Sequence, residues 1–427
     1  MTGDLGRTWT AATLGLCLAG CAGLADAAGF ALIEQSGSGQ GNAFAGGAAS
    51  AEDASTIFYN PAGMTLLPGK QVVVAVHAIG LSTEFSNQGS TAPLGKPLGG
   101  TGGDAGDWSY LPNLYVSWAL TPQWSVGVGV NVPFGLTTEY DPTWIGRYQA
   151  IKSDLKTVNI NPAVAYKIND MISIGAGVNY QSIDAELTRA VNFSALFPDG
   201  SAKVEGDDTG WGWNAGALFN LGSDMRVGVA YRSAIHYTLE GNVSFGVPAG
   251  VPAGLRPPDG PIRADITVPE TASVSVFQSF GERWDLMGDI TWTRWNRFQD
   301  LNIYRTNGAL LQATPEHWEN TFRLALGLNY HLNERWKLRG GVAFDQSPVP
   351  DQYRTARIPD NDRTWASVGA QWKFTQSAAL DIGYSHLFVK DSSISDNQGT
   401  GATSNGLLMG SYSNSVDIVS LQLTLSF

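Results

Sequence analysis

The chain closes on V-S-L-Q-L-T-L-S-F, in which Val419, Leu421, Leu423, Leu425 and Phe427 alternate with Ser420, Gln422, Thr424 and Ser426. Side chains of an extended strand point to opposite faces with period two, so this segment predicts a strand apolar on one side and polar on the other. A terminal aromatic on such a strand suits a membrane barrel, with lipid outside and water or a plug inside. The alternation recurs from about residue 70 onward. Val126, Val128 and Val130 alternate with Ser125, Gly127 and Gly129, and Phe322, Leu324, Leu326, Leu328 and Tyr330 alternate with Arg323, Ala325, Gly327 and Asn329. Trp336, Leu338, Val342 and Phe344 alternate with Lys337, Arg339 and Ala343. Fourteen such strands can be counted, an even number as single-chain bacterial barrels have.

The connections alternate in length. Six are tight, around Thr121-Pro122, Asn169-Asp170, Gly222-Ser223-Asp224, Gly281-Glu282, Asn333-Glu334 and Gln376-Ser377. Seven are long, at roughly 85–107, 136–152, 191–209, 241–264, 299–317, 347–361 and 391–412. Short turns at one end and long loops at the other are the asymmetry of outer-membrane barrels. Trp124, Trp284 and Trp336 each follow a tight turn, where an interfacial aromatic girdle belongs. Residues 70–427 are therefore expected to form an all-β fold, a 14-stranded antiparallel transmembrane β-barrel.

Residues 1–27 read as a signal peptide, with Arg7, an apolar stretch from Ala11 to Leu24, and cleavage after Ala25-Asp26-Ala27. Leu18-Ala19-Gly20-Cys21 also matches a lipoprotein cleavage site, which would leave a lipidated Cys21. Residues 28–69 are rich in Gly and Ala and show no sustained alternation, so they form either a tail or a plug, a hatch inside the barrel. No later stretch supplies the ~20 consecutive apolar residues of a spanning helix. A net charge of −12 argues against nucleic acid as a partner. Both cysteines, Cys17 and Cys21, leave with the signal. His77, His236, His317 and His331 lack metal-ligand spacing, and Ser385 and His386, as strand neighbours, project to opposite faces. Neither catalysis nor a cofactor is expected.

Three blocks carry a resemblance to a known family. The first runs from Ala28-Gly29-Phe30 through Asp53-Ala54 to Asn60-Pro61-Ala62. The second is Gly146-Arg147-Tyr148 through Lys152-Ser153-Asp154-Leu155 to Asn159-Ile160-Asn161-Pro162, and the third is Phe344 to Pro350 with Ile358 to Arg363. In this order they resemble the FadL family of outer-membrane transporters of long-chain fatty acids and other hydrophobic compounds. The resemblance implies a monomeric barrel plugged by its N-terminal hatch. Ligand enters from outside, binds an internal apolar pocket, and leaves sideways at an inward kink of the third strand. Its partners would be a long-chain fatty acid or other hydrophobic small molecule, outer-membrane lipid, and the barrel-assembly machinery during biogenesis. The kink corresponds here to Asn131, Val132, Pro133, Phe134 and Gly135, the lateral gate. Independently, a proline cannot donate to a sheet ladder, and beside a glycine it marks a bulge or break.

By the same resemblance Phe30 and Leu32 contact ligand, or pack the hatch on the wall, and Asn60, Pro61 and Ala62 fix the hatch backbone. Trp144, Leu196 and Phe197, in the long external connections, either form an external capture groove or are lone exposed side chains. Ile183 and Leu187 share the inward parity of Asn179 and Gln181, and Arg189 continues that face. Arg189, Arg323 and Arg339 either receive a ligand carboxylate or pair with lumen acids such as Asp285, Asp289 and Asp345. A water-filled porin or adhesion barrel is the alternative, and aromatic hydrocarbons are the alternative ligand within the family.

Overall fold

A computed structural model describes residues 29–399 and 404–427. The expected cleavage after Ala27 and the competing Cys21 lie outside them. Twenty strand segments, from β1 (Lys70–Asn87) to β20 (Leu407–Ser426), form one sheet with antiparallel neighbours. It closes where β20 pairs with β1, from Gln71↔Ser426 to Asn87↔Gly410. Six of the spanning strands are broken into two segments, so twenty segments make the 14 strands of a closed barrel. The breaks that matter below divide β3 (Trp124–Asn131) from β4 (Gly135–Glu139), β12 (Trp284–Thr293) from β13 (Asp300–Arg305), and β14 (Leu310–Pro315) from β15 (Thr321–His331).

The two faces follow the alternation. In β20, Val419 and Leu421 are exposed whereas Ser420 and Gln422 are at most 1 % exposed, so the polar set points inward. Around the wall the exposed face carries Val128, Ile160, Val178, Leu324, Leu326 and Ile382, a surface suited to lipid. At the tight-turn end Trp124 packs on Tyr166, Trp284 on Tyr330 and Trp336 on Trp372, the girdle expected there. The six tight turns lie where the sequence puts them. All but one of the long connections are shorter than expected, because the strands run on beyond the apolar band; the exception, between β16 (Trp336–Asp345) and β17 (Arg363–Thr375), is slightly longer. Between β6 (Ile172–Val191) and β7 (Gly200–Asn220) only residues 192–199 remain unpaired with a neighbouring strand. This stretch of β7 carries Lys203, Glu205, Asp207 and Asp208, so the ladder continues where lipid no longer selects an apolar face.

Residues 29–67 lie within the ring of strands. Three single-turn helices, α1 (Gly37–Gln40), α2 (Gly47–Ser50) and α3 (Thr56–Tyr59), and a 3₁₀ turn (Pro61–Leu66) bond to many wall strands. Gly37 N–H donates to Gln422, Gln40 Nε2 to Ser385 Oγ, Asn42 Nδ2 to Asn329 Oδ1, and Ala48 N–H to Ser275 Oγ. Wall glycines let the two backbones approach. A Cβ at Gly228 would stand 1.9 Å from the Ala48 carbonyl oxygen, and one at Gly341 would stand 2.2 Å from the Asn42 carbonyl carbon. Gly228→Val is therefore expected to unseat this segment while leaving the outer face of the barrel intact. Liposomes carrying the variant should swell several-fold faster in small sugars than liposomes carrying the wild type; equal rates would mean that the close approach is dispensable.

Candidate functional site

The third strand turns inward at its break. Asn131, Val132, Pro133, Phe134, Gly135 and Leu136 are all buried, which a simple alternating strand would not allow. As a result β2 (Trp108–Ala119) meets β3 only from Leu114 to Ala119, and β4 pairs with β5 (Lys152–Lys167) rather than with β2. Trp108 to Asn113 thus lack a strand partner on that side among the described residues. The inward chain is held by the N-terminal segment. Leu32 N–H donates to Pro133 O at 2.8 Å, Gly135 N–H to Phe30 O at 2.9 Å, and Gln35 Nε2 to Val132 O at 2.9 Å. Thr157 Oγ1 accepts from Phe134 N–H and donates to Phe134 O. Beyond the break, Ala105 bridges β1 and β4 through Thr83 O and Glu139 N–H, which closes the outer margin of the gap.

Two cavities flank this region and a third lies among the outer connections. An apolar pocket of about 80 Å³ is lined by Phe30, Leu136, Leu155, Leu187, Leu239 and Ile303 among others. A second, of about 140 Å³, lies beside the break and includes Leu32, Pro61, Pro133, Phe134, Arg232 and Arg323. Phe30 is packed in a cluster of rings, 4.8 Å from Trp295, 5.5 Å from Trp318, 5.8 Å from Phe298 and 5.9 Å from Phe134, and of these Trp295 and Phe134 line the second cavity. Gly29 makes the turn into that cluster at φ 65°, with the Trp318 ring 2.6 Å from where a Cβ would stand. Only glycine fits there. The third cavity, about 510 Å³ and lined mainly by polar residues, includes Tyr148, Gln149, Arg189, Pro315, Arg354 and Thr355 among the outer connections.

The sequence-derived residues fall into two groups. Phe30, Leu32 and Leu187 line cavities, and Ile183 is buried in the apolar cluster with Phe30 and Phe134. Arg189 lines the outer cavity and makes no hydrogen bond or ion pair among the described residues. Asn60 does fix backbone: its Oδ1 accepts from Ala62 N–H and its Nδ2 donates to Ala48 O and Ala217 O. Arg323 lines the cavity beside the break, with Nη2 donating to Ala43 O and the guanidinium over the Trp365 ring.

Two expectations need correction. Arg339 is not open to a ligand, because its Nη2 lies 2.7 Å from both Glu52 and Asp381, and Lys337 joins Glu52 at 2.6 Å. These acids are also not the ones expected for it. Trp144 is not part of an open groove: it is fully buried, stacks on Tyr140 at 3.9 Å, and donates Nε1–H to Ala150 O. Leu196 is 85 % exposed, and Phe197 is half-buried with its carbonyl held by Lys96. Ser385 and His386 do face apart, Ser385 toward Gln40 and His386 toward Asp417.

Sequence reasoning missed Glu316 and Arg357, which line the apolar pocket among otherwise uncharged residues. The only signal for Arg357 was its place directly before Ile358 in a block already singled out. Glu316 is buried and its Oε2 accepts from Trp318 Nε1–H at 3.0 Å. Arg357 is pulled down to about 10 by burial and by the positive charge of Arg189.

The chain matches the family model described as outer membrane protein transport protein (OMPP1/FadL/TodX) over residues 18–427. It is 30% identical over 397 residues to the long-chain fatty acid transport protein of Escherichia coli strain K12, covering 84% of this chain and 87% of that one. Its structure is similar to a Pseudomonas aeruginosa FadL homologue, with a TM-score of 0.86, 26% identity, and coverage of 94% of this chain and 100% of the other. The toluene transporter TodX of Pseudomonas putida shares the fold, with a TM-score of 0.68 at 18% identity over 88% of this chain and 94% of its own.

Arg339→Met should leave Asp381 a buried acid without its counter-charge, while Glu52 keeps Lys337, and cost about 3–5 kcal/mol of stability. Thermal unfolding in detergent reads this directly. Affinities for a fatty acid and for the alcohol of equal length should change alike in this variant; a loss confined to the acid would return Arg339 to the ligand site.

Proposed function

The chain belongs to the outer membrane transport protein family OMPP1/FadL/TodX, and on that premise we propose how it carries its ligand. It is an outer-membrane transporter of hydrophobic compounds. Within that role the ligand is a long-chain fatty acid, gathered at the outer connections around Leu196 and Phe197, taken into the apolar pocket, and released sideways into the membrane at Asn131–Gly135. The observation that carries this reading is the placement of Phe30. It lines the apolar pocket and packs against Phe134 and Trp295, which line the cavity beside the broken strand, so moving this hatch residue is the step that would join the two.

The physics favours sideways release. Each methylene kept out of water saves about 0.8 kcal/mol, so a route from apolar pocket to lipid avoids a cost that grows with every carbon. The unpartnered edge of β2 lies where such a route would open. The hatch end from Phe30 to Leu32 moves and the Glu52–Arg339 cluster stays, because the former is held by a few backbone bonds and ring contacts and the latter by buried ion pairs. Ligand binding can shift that end only if the ligand prefers one of its positions. The unit acts as a monomer and is inserted by the barrel-assembly machinery. The ring cluster around Phe30 supports a second reading, an aromatic hydrocarbon as ligand, which uptake of toluene in preference to oleate would select.

Ala31 and Phe134 are antiparallel bridge partners, so cysteines at both positions are placed to form a cross-link. The oxidised Ala31→Cys/Phe134→Cys protein should lose oleate uptake, and a reductant should restore it. Undiminished uptake in the cross-linked form would rule out movement of this segment and with it the proposed route.

A further inference from the structure

We propose that the polar cavity among the outer connections is a binding site for an acidic sugar, a pyranose bearing a carboxylate. The site stands apart from the transport route, since its ligand is a hydrophilic anion and the identity of the transported compound does not enter the argument. The cavity holds about 510 Å³, against about 140 Å³ and 80 Å³ for the two nearer the broken strand. A water molecule's share of liquid volume is about 30 Å³, so a sugar ring and its substituents have room there. Besides the end of β6, its wall draws on the connections 140–151 and 346–362, on β14, and on β19 (Ser392–Asn397).

The charges in this wall leave one cation free. Arg189 makes no hydrogen bond or ion pair among the described residues. Arg354, the other lining cation, is buried and is met by Asp351 at 2.6 Å. Asp396, the one lining acid, accepts from Gln398 Nε2 at 3.0 Å and makes no ion pair among the described residues, so it is an acceptor for sugar hydroxyls. The charge of Arg189 also reaches Arg357, which likewise makes no ion pair among the described residues. A guanidinium without a counter-ion, in a cavity largely shielded from bulk water, is suited to a carboxylate, whose two oxygens match its planar fork.

The neutral groups point to a ligand with hydroxyls. Gln149 is 7 % exposed and donates Nε2–H to Asn405 O, yet its Oε1 has no partner, and Thr355 Oγ1 is buried without one. Both residues line the cavity. Unpaired buried polar atoms are costly, and a polyhydroxylated ring supplies donors and acceptors for both. Half-buried Tyr353, with the His317 ring at 4.4 Å, adds an aromatic surface. A fatty acid would engage only the charge, and its chain would cover these groups without bonding to them. Sugar carboxylates of this kind reach the outer connections from two sources, soluble acidic sugars and the acidic sugars of the outer-leaflet glycolipid.

Glucuronate and glucose, which differ by one carboxylate, test the site by calorimetry on the full-length protein in detergent. Glucuronate should bind at least tenfold more tightly than glucose, and Arg189→Gln should lower its affinity by about ten- to a hundredfold. Thr355→Val, which replaces an unpaired hydroxyl with a methyl group, should weaken both sugars several-fold without lowering the unfolding temperature of the free protein. Saturating glucuronate should leave oleate affinity unchanged. Rough lipopolysaccharide, compared with the lipid A obtained from it by mild acid, separates the sources: a preference for the former that Arg189→Gln abolishes assigns the site to glycolipid, and equal binding assigns it to the soluble sugar. No binding of glucuronate, equal affinities for the two sugars, an unchanged glucuronate affinity in Arg189→Gln, or displacement of oleate by glucuronate would overturn the proposal.

Discussion

In a lipid-facing wall every backbone N–H and C=O must find its partner within the protein, and the architecture follows from that requirement. Closing β20 onto β1 removes the sheet edge, and any interruption of a strand needs a replacement for the lost ladder. The third strand shows how this is arranged. Pro133 has no N–H to satisfy, its carbonyl accepts from Leu32, and Thr157 serves both polar groups of Phe134. The inward kink and the N-terminal segment therefore complete each other: the segment provides the hydrogen bonds the wall gives up there.

The same breaks build the interior. Phe134 comes from the gap in the third strand, Trp295 and Phe298 from the gap between β12 and β13, and Trp318 from the gap between β14 and β15. In an unbroken strand such residues would take whichever face their parity assigned. Freed from the ladder, they converge on Phe30 and create apolar volume in a lumen whose regular inward face is Ser, Asn and Gln. Seen this way, the irregular stretches give the barrel its greasy pocket, and the regular stretches give it its wall.

How much of this was legible depended on the range over which each feature is determined. Alternation in Val419–Phe427 and the residues of the tight turns are local properties, so strand number, facing and turn positions could be read directly. Pro133 beside Gly135 announced a break for an equally local reason. Whether an arginine is free is not local: Arg339 is neutralised by Glu52, 287 positions away in sequence, and nothing in the alternation of its strand reveals this. Trp144 looked like an exposed loop aromatic, but the outer connections fold over it and build a core of their own with Phe85, Tyr140 and Tyr412. Glu316 and Arg357 fall outside any periodic pattern and line one pocket only in the folded barrel.

The way residues 29–67 are seated has a consequence for the order in which the molecule assembles. Gly37 bonds to Gln422 across 385 residues, and other bonds from the same stretch reach Ser275, Asn329 and Ser385. Contacts of such sequence separation form late, because the loop they close must be drawn together before they contribute. The first part of the chain to be made is then the last to find its place, after the final strand has joined the first. Until that moment the ring of strands surrounds water. A newly closed barrel is a transient pore, and the time its N-terminal segment takes to dock sets how long the membrane around it leaks.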